Sequence, residues 1–230
     1  GQFAREIAHE VRNPLNFINL TIDHVKARLA NSDTFEREIQ LLDTVKREIQ
    51  RLNNLVNSFL EYARPLILKR QKINLVPFLD ELVDLIKAKA ALAGIHLETE
   101  YDSKILIEVD PDLLKTALIN IINNSFQAMP EGGFLGIRAA KTGYSENQIT
   151  ENSVQGGYVL IEIEDSGSGI PEDKIDKVFE PFFTTKENGL GLGLPTARRI
   201  IEEHGGSLSL RSKVGAGTVV TVKLPAISGN

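Results

Sequence analysis

The sequence predicts two folded parts in one chain, an all-α helical hairpin followed by an α+β sandwich. Residues 1 to 63 contain one proline and one glycine, whereas both residue types are frequent in the rest of the chain. Apolar residues in the first stretch recur at alternating spacings of four and three, the heptad pattern of packed helices. Beyond it, strand-like and helix-like segments alternate. We therefore expect a hairpin domain at 1–66, a linker at 67–72 and a second domain at 73–230.

Two apolar seams predict the hairpin. The first runs through Val11, Leu15, Ile18, Ile22, Val25 and Leu29, and the second through Leu42, Val45, Ile49, Leu52, Val56, Phe59 and Ala63. Asp33 and Glu36 have the spacing of a capping box, which predicts the start of the second helix. Two helices bury such a stripe poorly, so we expect two hairpins to pair as a four-helix bundle in a homodimer. An intramolecular coiled coil that packs on the rest of the chain is the alternative.

The second part begins after a basic stretch, Arg64 to Lys72, which breaks the helical pattern and suits a linker. Helices are predicted at 75–92, 111–129 and 195–204, and strands at 96–101, 105–109, 134–141, 158–164, 207–212 and 218–224. The last helix ends at Gly205, as a glycine cap would end it. Strands that pair in neighbouring hairpins, with helices gathered between them, predict an α+β sandwich.

Composition excludes several classes of protein. The 31 acidic and 26 basic residues give a net charge of −5, which argues against a nucleic-acid partner. No apolar run approaches about 18 residues, so we expect membrane attachment only through a segment upstream of this chain. The absence of cysteine excludes disulfides, thiolate zinc sites and thiol catalysis. The chain starts at Gly1 without a signal-peptide pattern, and we interpret it as a cytoplasmic piece of a longer protein.

Two asparagines on a predicted helix are candidate metal ligands. Asn120 and Asn124 are four residues apart and therefore share one helical face. Amide oxygens can ligate Mg²⁺ without adding negative charge beside phosphates. An asparagine pair on a helix is, by itself, more often a polar surface.

A carboxylate in a glycine-rich turn is a second candidate. Asp165 follows an apolar strand and is flanked by Gly167 and Gly169. A carboxylate there can accept a hydrogen bond from an exocyclic amine, while glycine lets a ring approach the backbone closely. Further along, Thr218 lies in a segment that is either a hairpin turn or a pocket wall.

A run of glycines before a predicted helix is a third candidate. Gly189, Gly191, Gly193 and Leu194 precede Pro195, and glycines that lead into a helix N-terminus can form a phosphate cradle. A Rossmann site is disfavoured, because a polar loop rather than a strand precedes these glycines.

In this order and at these spacings, the segments resemble the N, G1, F, G2 and G3 boxes of the histidine-kinase ATP-binding domain, a member of the gyrase and chaperone ATPase superfamily. The resemblance covers about residues 73 to 225. It implies that the domain binds ATP and Mg²⁺, with Asn124 as the metal ligand, Asn120 as its helical partner, and Asp165 reading the adenine amine near Thr218. It also implies pocket and lid residues: Gly167, Gly169, Phe179, Phe182, Phe183, Lys186, Gly189, Gly191, Gly193 and Leu194.

The segment from Glu6 to Leu15 resembles the H box of the dimerisation and phosphotransfer domain of sensor histidine kinases. The resemblance implies that His9 accepts the phosphoryl group and that Glu10 orients the ring or accepts its proton. An imidazole with an ordinary pKa of about 6.5 is mostly neutral at pH 7 and so can act as a nucleophile. Asn13 lies one turn along the same face, where an amide can position a water molecule.

We therefore expect the core of a two-component sensor histidine kinase. It would phosphorylate His9 with Mg·ATP and pass the phosphoryl group to an aspartate on the receiver domain of a response regulator. Phosphatase activity toward that regulator is compatible with Asn13. Two alternatives remain open: a dimeric ATPase of the same superfamily without phosphotransfer, and a nucleotide-binding scaffold whose hairpin docks a partner.

Overall fold

The computed structural model describes residues 15–16, 18–27, 36–63, 65–102, 104–142, 157–185 and 191–227. The chain divides into two compact units, of which the second consists of residues 66–183 and 193–230. The first unit holds a helical hairpin and the second an α+β fold. The predicted order of an all-α part followed by an α+β part is confirmed.

The hairpin consists of α1, described at residues 15–16 and 18–27, and α2, Glu36–Ala63. Two ion pairs join the helices and fix their antiparallel register: Lys46 Nζ lies 2.6 Å from Asp23 Oδ1, and Lys26 pairs with Asp43. The predicted capping residue of α2, Asp33, lies outside the described residues.

A small core holds the hairpin together, but much of the predicted seam is not covered. Leu15, Ile22 and Ile49 are buried, with Leu42 packed against them. Five other seam residues remain exposed in the single chain, with exposed fractions between 37% and 46%: Ile18, Val25, Val45, Leu52 and Phe59. The hairpin therefore leaves an apolar stripe open, as expected of two helices that lack a further layer.

The second unit is built on a five-stranded sheet of order β2-β4-β5-β7-β6 and a two-stranded sheet of β1 and β3. The strands are β1, Gln71–Asn74; β2, Ile95–Tyr101; β3, Leu106–Val109; β4, Gly133–Thr142; β5, Tyr158–Asp165; β6, Ser207–Lys213; and β7, Gly217–Pro225. In the larger sheet β2 runs parallel to β4, and the other neighbouring pairs are antiparallel. The sheet is therefore mixed.

Three helices cover one face of the larger sheet: α3, Leu75–Leu92; α4, Pro111–Ala128; and α5, Gly193–Glu203. Burial alternates strictly along β5, so only one face of this strand enters the core. One hydrophobic cluster joins the inner faces of all three helices to the inner face of the sheet. The unit is thus a two-layer sandwich, as predicted. The sheet presents its second face to solvent.

The helix starts follow from local chemistry. Asp110 caps α4, since its Oδ1 accepts a hydrogen bond from the backbone N–H of Leu113 at 3.1 Å, and Pro111 occupies the first helical position. Asn74 caps α3 by accepting from the N–H of Val76 at 3.3 Å. The helix at 75–92 was predicted with the bounds that the structure has.

The structure departs from the sequence-based expectation at the junction before this unit. Residues 71 and 72, assigned to a linker from sequence, begin β1, which pairs antiparallel with β3. Leu66 packs against the core of the second unit, and the backbone N–H of Lys69 donates to Asp110 Oδ2 at 2.8 Å. The stretch is therefore bound to the second unit by packing and backbone hydrogen bonds, which its basic composition did not suggest.

Candidate nucleotide-binding site

The amide pair of α4 faces the first residue of α5. A β-carbon at Gly193 would lie 3.6 Å from Asn124 Nδ2 and 4.0 Å from Asn120 Oδ1. The two asparagines therefore share the α4 face that meets the N-terminus of α5, as the spacing predicted. The N-terminus of a helix presents unpaired N–H groups and a partial positive charge. The two side-chain amides and an anion-binding helix end are thus brought side by side.

Asn123, their sequence neighbour, points elsewhere. Its Oδ1 accepts a hydrogen bond from Lys89 Nζ of α3 at 2.7 Å. The same ammonium group lies 5.0 Å from the centre of the Phe126 ring. Asn123 therefore contributes to the contact between α3 and α4 and does not belong to the face that Asn120 and Asn124 share.

Asp165 ends β5 and is almost fully buried, at 4% exposed. Its Oδ1 accepts a hydrogen bond from the N–H of Gly167 at 3.0 Å. Two contacts hold the loop that follows: Ser166 Oγ accepts from the N–H of Phe134 at 2.9 Å, and the N–H of Ser168 donates to the carbonyl of Ala128 at 3.1 Å. The loop is thereby fixed against the C-terminal end of α4, one turn beyond Asn124.

Glycine is required in this loop by close approaches of the backbone. A β-carbon at Gly167 would lie 2.9 Å from Asp165 Oδ1 and 2.7 Å from the Ala128 side chain. At Gly169, whose φ is +70°, it would lie 2.1 Å from the carbonyl oxygen of Lys213. A side chain at Gly167 would collide with the Asp165 carboxylate, and one at Gly169 would collide with the backbone of Lys213.

Thr218 lies directly across from Asp165, because the two residues are paired in register between β5 and β7. Its Oγ1 is 2.9 Å from Ser212 Oγ, and Ser212 Oγ accepts from the N–H of Ile170 at 2.8 Å. Thr218 is 8% exposed. The sequence-based expectation that Thr218 adjoins Asp165 therefore agrees with the register, whereas Ser212, which ties the loop to β6, gave no signal in the sequence.

Some of the remaining candidates are described by the structure and others lie outside the described residues. Phe179 packs against the core, and the Arg198 guanidinium lies 5.1 Å from its ring centre. Leu194 is also packed against the core, and Gly191 has a φ of +65°. The predicted residues outside the described ranges are His9, Glu10, Asn13, Lys186 and Gly189.

Family models match both parts of the chain. Residues 1–65 match the His Kinase A (phospho-acceptor) domain, and residues 109–228 match the histidine kinase-, DNA gyrase B- and HSP90-like ATPase. The chain belongs to the histidine kinase family. The resemblance to the two histidine-kinase domains is confirmed, and so is their order.

Individual histidine kinases agree with this assignment over nearly the whole chain. Sporulation kinase E of Bacillus subtilis is 31% identical over 98% of this chain and 28% of its own length. The sensor histidine kinase ZraS of Salmonella typhimurium is 33% identical over 99% of this chain and 46% of its own length. The crystal structure of the histidine kinase ThkA in complex with the response regulator protein TrrA superimposes with a TM-score of 0.67 at 28% identity, covering 99% of this chain and 62% of that one.

This kinase core spans half or less of the length of the curated relatives it matches. Among the helices that the structure describes, none is both long enough and apolar enough to cross a membrane.

The loop after β5 packs against the turn between β6 and β7, and one glycine from each, Gly169 and Gly215, provides a matched test of this packing. Gly169 and Gly215 both have positive φ, at +70° and +75°, but a β-carbon at Gly215 would meet nothing within 4 Å. Gly215→Ala carries only the backbone strain, and we expect it to lower the free energy of unfolding by about 1–2 kcal/mol. Gly169→Ala adds the clash with Lys213, for a total loss of about 2–5 kcal/mol. Urea unfolding of both variants measures the difference, and equal losses would contradict the packing described.

Proposed function

We propose that this chain is the catalytic core of a two-component histidine kinase that phosphorylates His9 with Mg·ATP. It then passes the phosphoryl group to an aspartate on the receiver domain of a response regulator. The observation that carries the proposal is the close approach of Gly193 to Asn120 and Asn124, beside the buried Asp165 loop. The match of residues 1–65 to a phospho-acceptor domain supports the histidine as the recipient.

Different site residues bind different parts of the nucleotide. The Asp165 carboxylate accepts a hydrogen bond from the adenine amine, next to Thr218, and Gly167 and Gly169 leave room for the ring. Phosphate oxygens bind the N–H groups at the start of α5, where Gly189, Gly191, Gly193 and Leu194 form the cradle and Lys186 adds a positive charge. Phe179 supports this side by packing on the core.

The amide pair suits a magnesium ion. Asn124 would supply an oxygen ligand and Asn120 the neighbouring amide, and neither adds negative charge next to the phosphates. When bound, Mg²⁺ neutralises part of the phosphate charge that develops during transfer. Asn124, Asn120 and the N-terminus of α5 are close enough together for one phosphate chain to contact all three.

Transfer to His9 is a nucleophilic substitution at the γ-phosphorus. An unprotonated ring nitrogen of His9 forms the new N–P bond while the bond to the β-phosphate oxygen breaks and ADP leaves. Glu10 holds the imidazole by accepting its other N–H. In the phosphatase reaction, Asn13 positions a water molecule for hydrolysis of the phosphorylated regulator.

We propose that the active form is a homodimer. The apolar stripe that the hairpin leaves exposed, from Ile18 and Val25 on α1 to Val45, Leu52 and Phe59 on α2, is what a second hairpin would cover in a four-helix bundle. Because the reaction consumes ATP, we propose that this core works in the cytoplasm, and that any membrane attachment belongs to other parts of a longer protein. The net charge of −5 argues against a nucleic-acid partner.

We expect two hairpin variants to fail in different assays. His9→Gln should end autophosphorylation, measured as acid-labile and base-stable phosphate on the protein, and should leave Mg·ATP binding intact. Asn13→Ala should retain autophosphorylation, because this amide neither attacks the phosphorus nor accepts a proton. It should instead slow dephosphorylation of a phosphorylated regulator.

The outcomes also separate the rival functions. ATP hydrolysis without phosphohistidine would favour a dimeric ATPase of the same superfamily, and nucleotide binding without either reaction would favour a scaffold. Loss of autophosphorylation in Asn13→Ala as complete as in His9→Gln would contradict the division of roles on this helix face.

Substitution of Asn124 and of its neighbour Asn123 tests whether Asn124 is the Mg²⁺ ligand. We expect Asn124→Ala to lower the rate of Mg²⁺-dependent autophosphorylation at least about tenfold, since loss even of a residue that supports a metal ligand typically costs that much. Asn123→Ala removes only the exposed contact with Lys89 and should stay within about twofold of the unchanged protein. A Mg²⁺ titration of both rates is the measurement. A larger defect in Asn123→Ala would mean that the amide face has been misassigned.

A further inference from the structure

A buried hydrogen-bonded junction joins α4 and α5 at the end of α5 away from Gly193. His204, directly after α5, is 1% exposed, and Asp110, directly before α4, is 6% exposed. The backbone N–H of Asp110 donates to His204 Nε2 at 2.9 Å, and His204 Nδ1 donates to the carbonyl of Ile200 at 2.7 Å. A backbone N–H only donates and a carbonyl only accepts, so the imidazole is neutral with its proton on Nδ1. It links the end of α5 to the start of α4.

The Asp110 carboxylate extends the junction to a third element. Oδ1 caps α4 through the N–H of Leu113, and Oδ2 accepts from the N–H of Lys69 at 2.8 Å. Burial raises the pKa of this carboxyl, but the backbone N–H groups of Lys69, Leu113 and Asp112 together lower it further, so the pKa lies below its ordinary value. At neutral pH an ionised carboxylate therefore holds both the first turn of α4 and the chain ahead of β1.

Residues 66–70, which we call the strap, also bind the end of α5. The Arg70 guanidinium donates from Nη2 to the carbonyl of Glu203 at 3.0 Å, and Leu66 packs on the core. The strap, the start of α4 and the end of α5 therefore meet at one point.

The two helices are antiparallel, so this point and the nucleotide site lie at opposite ends of the same pair. The end of α5 meets the start of α4 through His204 and Asp110, whereas Gly193, the first residue of α5, meets Asn120 and Asn124. The 11 residues of α5 span about 16 Å. Packed core helices move as rigid bodies, so a displacement at one end is transmitted to the other.

We infer that Asp110 and His204 are positioning residues for Mg·ATP, which fix how far α5 lies along α4 and hence how closely Gly193 approaches Asn120 and Asn124. The inference rests on the proposed function of that site. The strap is hydrogen-bonded to the same junction. A displacement of the strap therefore changes the distance between Gly193 and the amide pair of Asn120 and Asn124.

Two substitutions of His204 separate its two hydrogen bonds. His204→Asn keeps a donor for the Ile200 carbonyl but is too short to accept from Asp110, whereas His204→Gln places an oxygen where Nε2 stands. We expect His204→Asn to weaken Mg·ATP binding about tenfold, within the range of measured coupling between distant sites, and His204→Gln to stay within about threefold. The KM for ATP should rise in His204→Asn. A merely structural role would lower the folded fraction, and hence the apparent kcat, and leave KM unchanged.

Arg70→Ala is a second variant that does not disturb the core, and Arg211→Ala is its control, since Arg211 pairs with Glu162 at 3.7 Å between β6 and β5 and takes no part in the junction. We expect Arg70→Ala to weaken Mg·ATP binding about twofold to threefold and Arg211→Ala to leave it unchanged. Calorimetric titration of all four variants, with urea unfolding alongside, is the experiment.

Equal affinities of the His204 pair would overturn the inference. If His204→Asn does not fold, equal affinities of Arg70→Ala and Arg211→Ala would overturn it instead. If the unchanged protein binds Mg·ATP and none of the variants differs, the inference alone fails. If the unchanged protein does not bind Mg·ATP, the proposed function fails and the inference fails with it.

Discussion

Backbone packed directly on backbone around Asp165 is the constraint on which the nucleotide site depends. A β-carbon at Gly217 would lie 1.9 Å from the carbonyl oxygen of Asp165, and one at Gly169 would lie 2.1 Å from that of Lys213. These approaches bring the turn between β6 and β7 against the loop that follows β5. The loop is thereby held against this turn beside a buried carboxylate, and only glycine allows this geometry. The position of Asp165 relative to α4 follows from the same packing, because Gly167 and Ser168 contact Ala128.

Helix α4 is the element that joins the separate contributions. Its first turn is capped by Asp110, its middle carries Asn120 and Asn124, and its last residue supports the Asp165 loop. One rigid helix would therefore fix the relative positions of the groups that bind adenine, the metal ion and the phosphates.

The helices of the hairpin, in contrast, do not bury all of their apolar residues. The hairpin leaves an apolar stripe exposed in the single chain, and we propose that this stripe is covered by a second copy, which would bring two acceptor histidines into one assembly.

Patterns of local chemistry were sufficient to predict most elements from the sequence. The helix predicted at 75–92 has the bounds of α3, and helical periodicity was enough to place Asn120 and Asn124 on one face. β1 was missed, because Gln71–Asn74 is short, polar at its start and continuous with a basic stretch. The Asp110–His204 contact spans 94 residues and leaves no local signal. His204 is buried and makes two hydrogen bonds, but its partner at the start of α4 emerges only when the two helices pack.

The carboxylate of Asp165 provides the most direct test of the central claim, that this fold is an ATP site. The measurement is a calorimetric titration of Asp165→Asn with Mg·ATP, with unfolding in urea as the control for folding. An amide in place of the carboxylate presents a donor or a weaker acceptor to the adenine amine. A hydrogen bond to a charged group typically contributes about 1.5–3 kcal/mol, so the account predicts binding weaker by about tenfold to a hundredfold. A folded variant that binds Mg·ATP as tightly as the unchanged protein would contradict it.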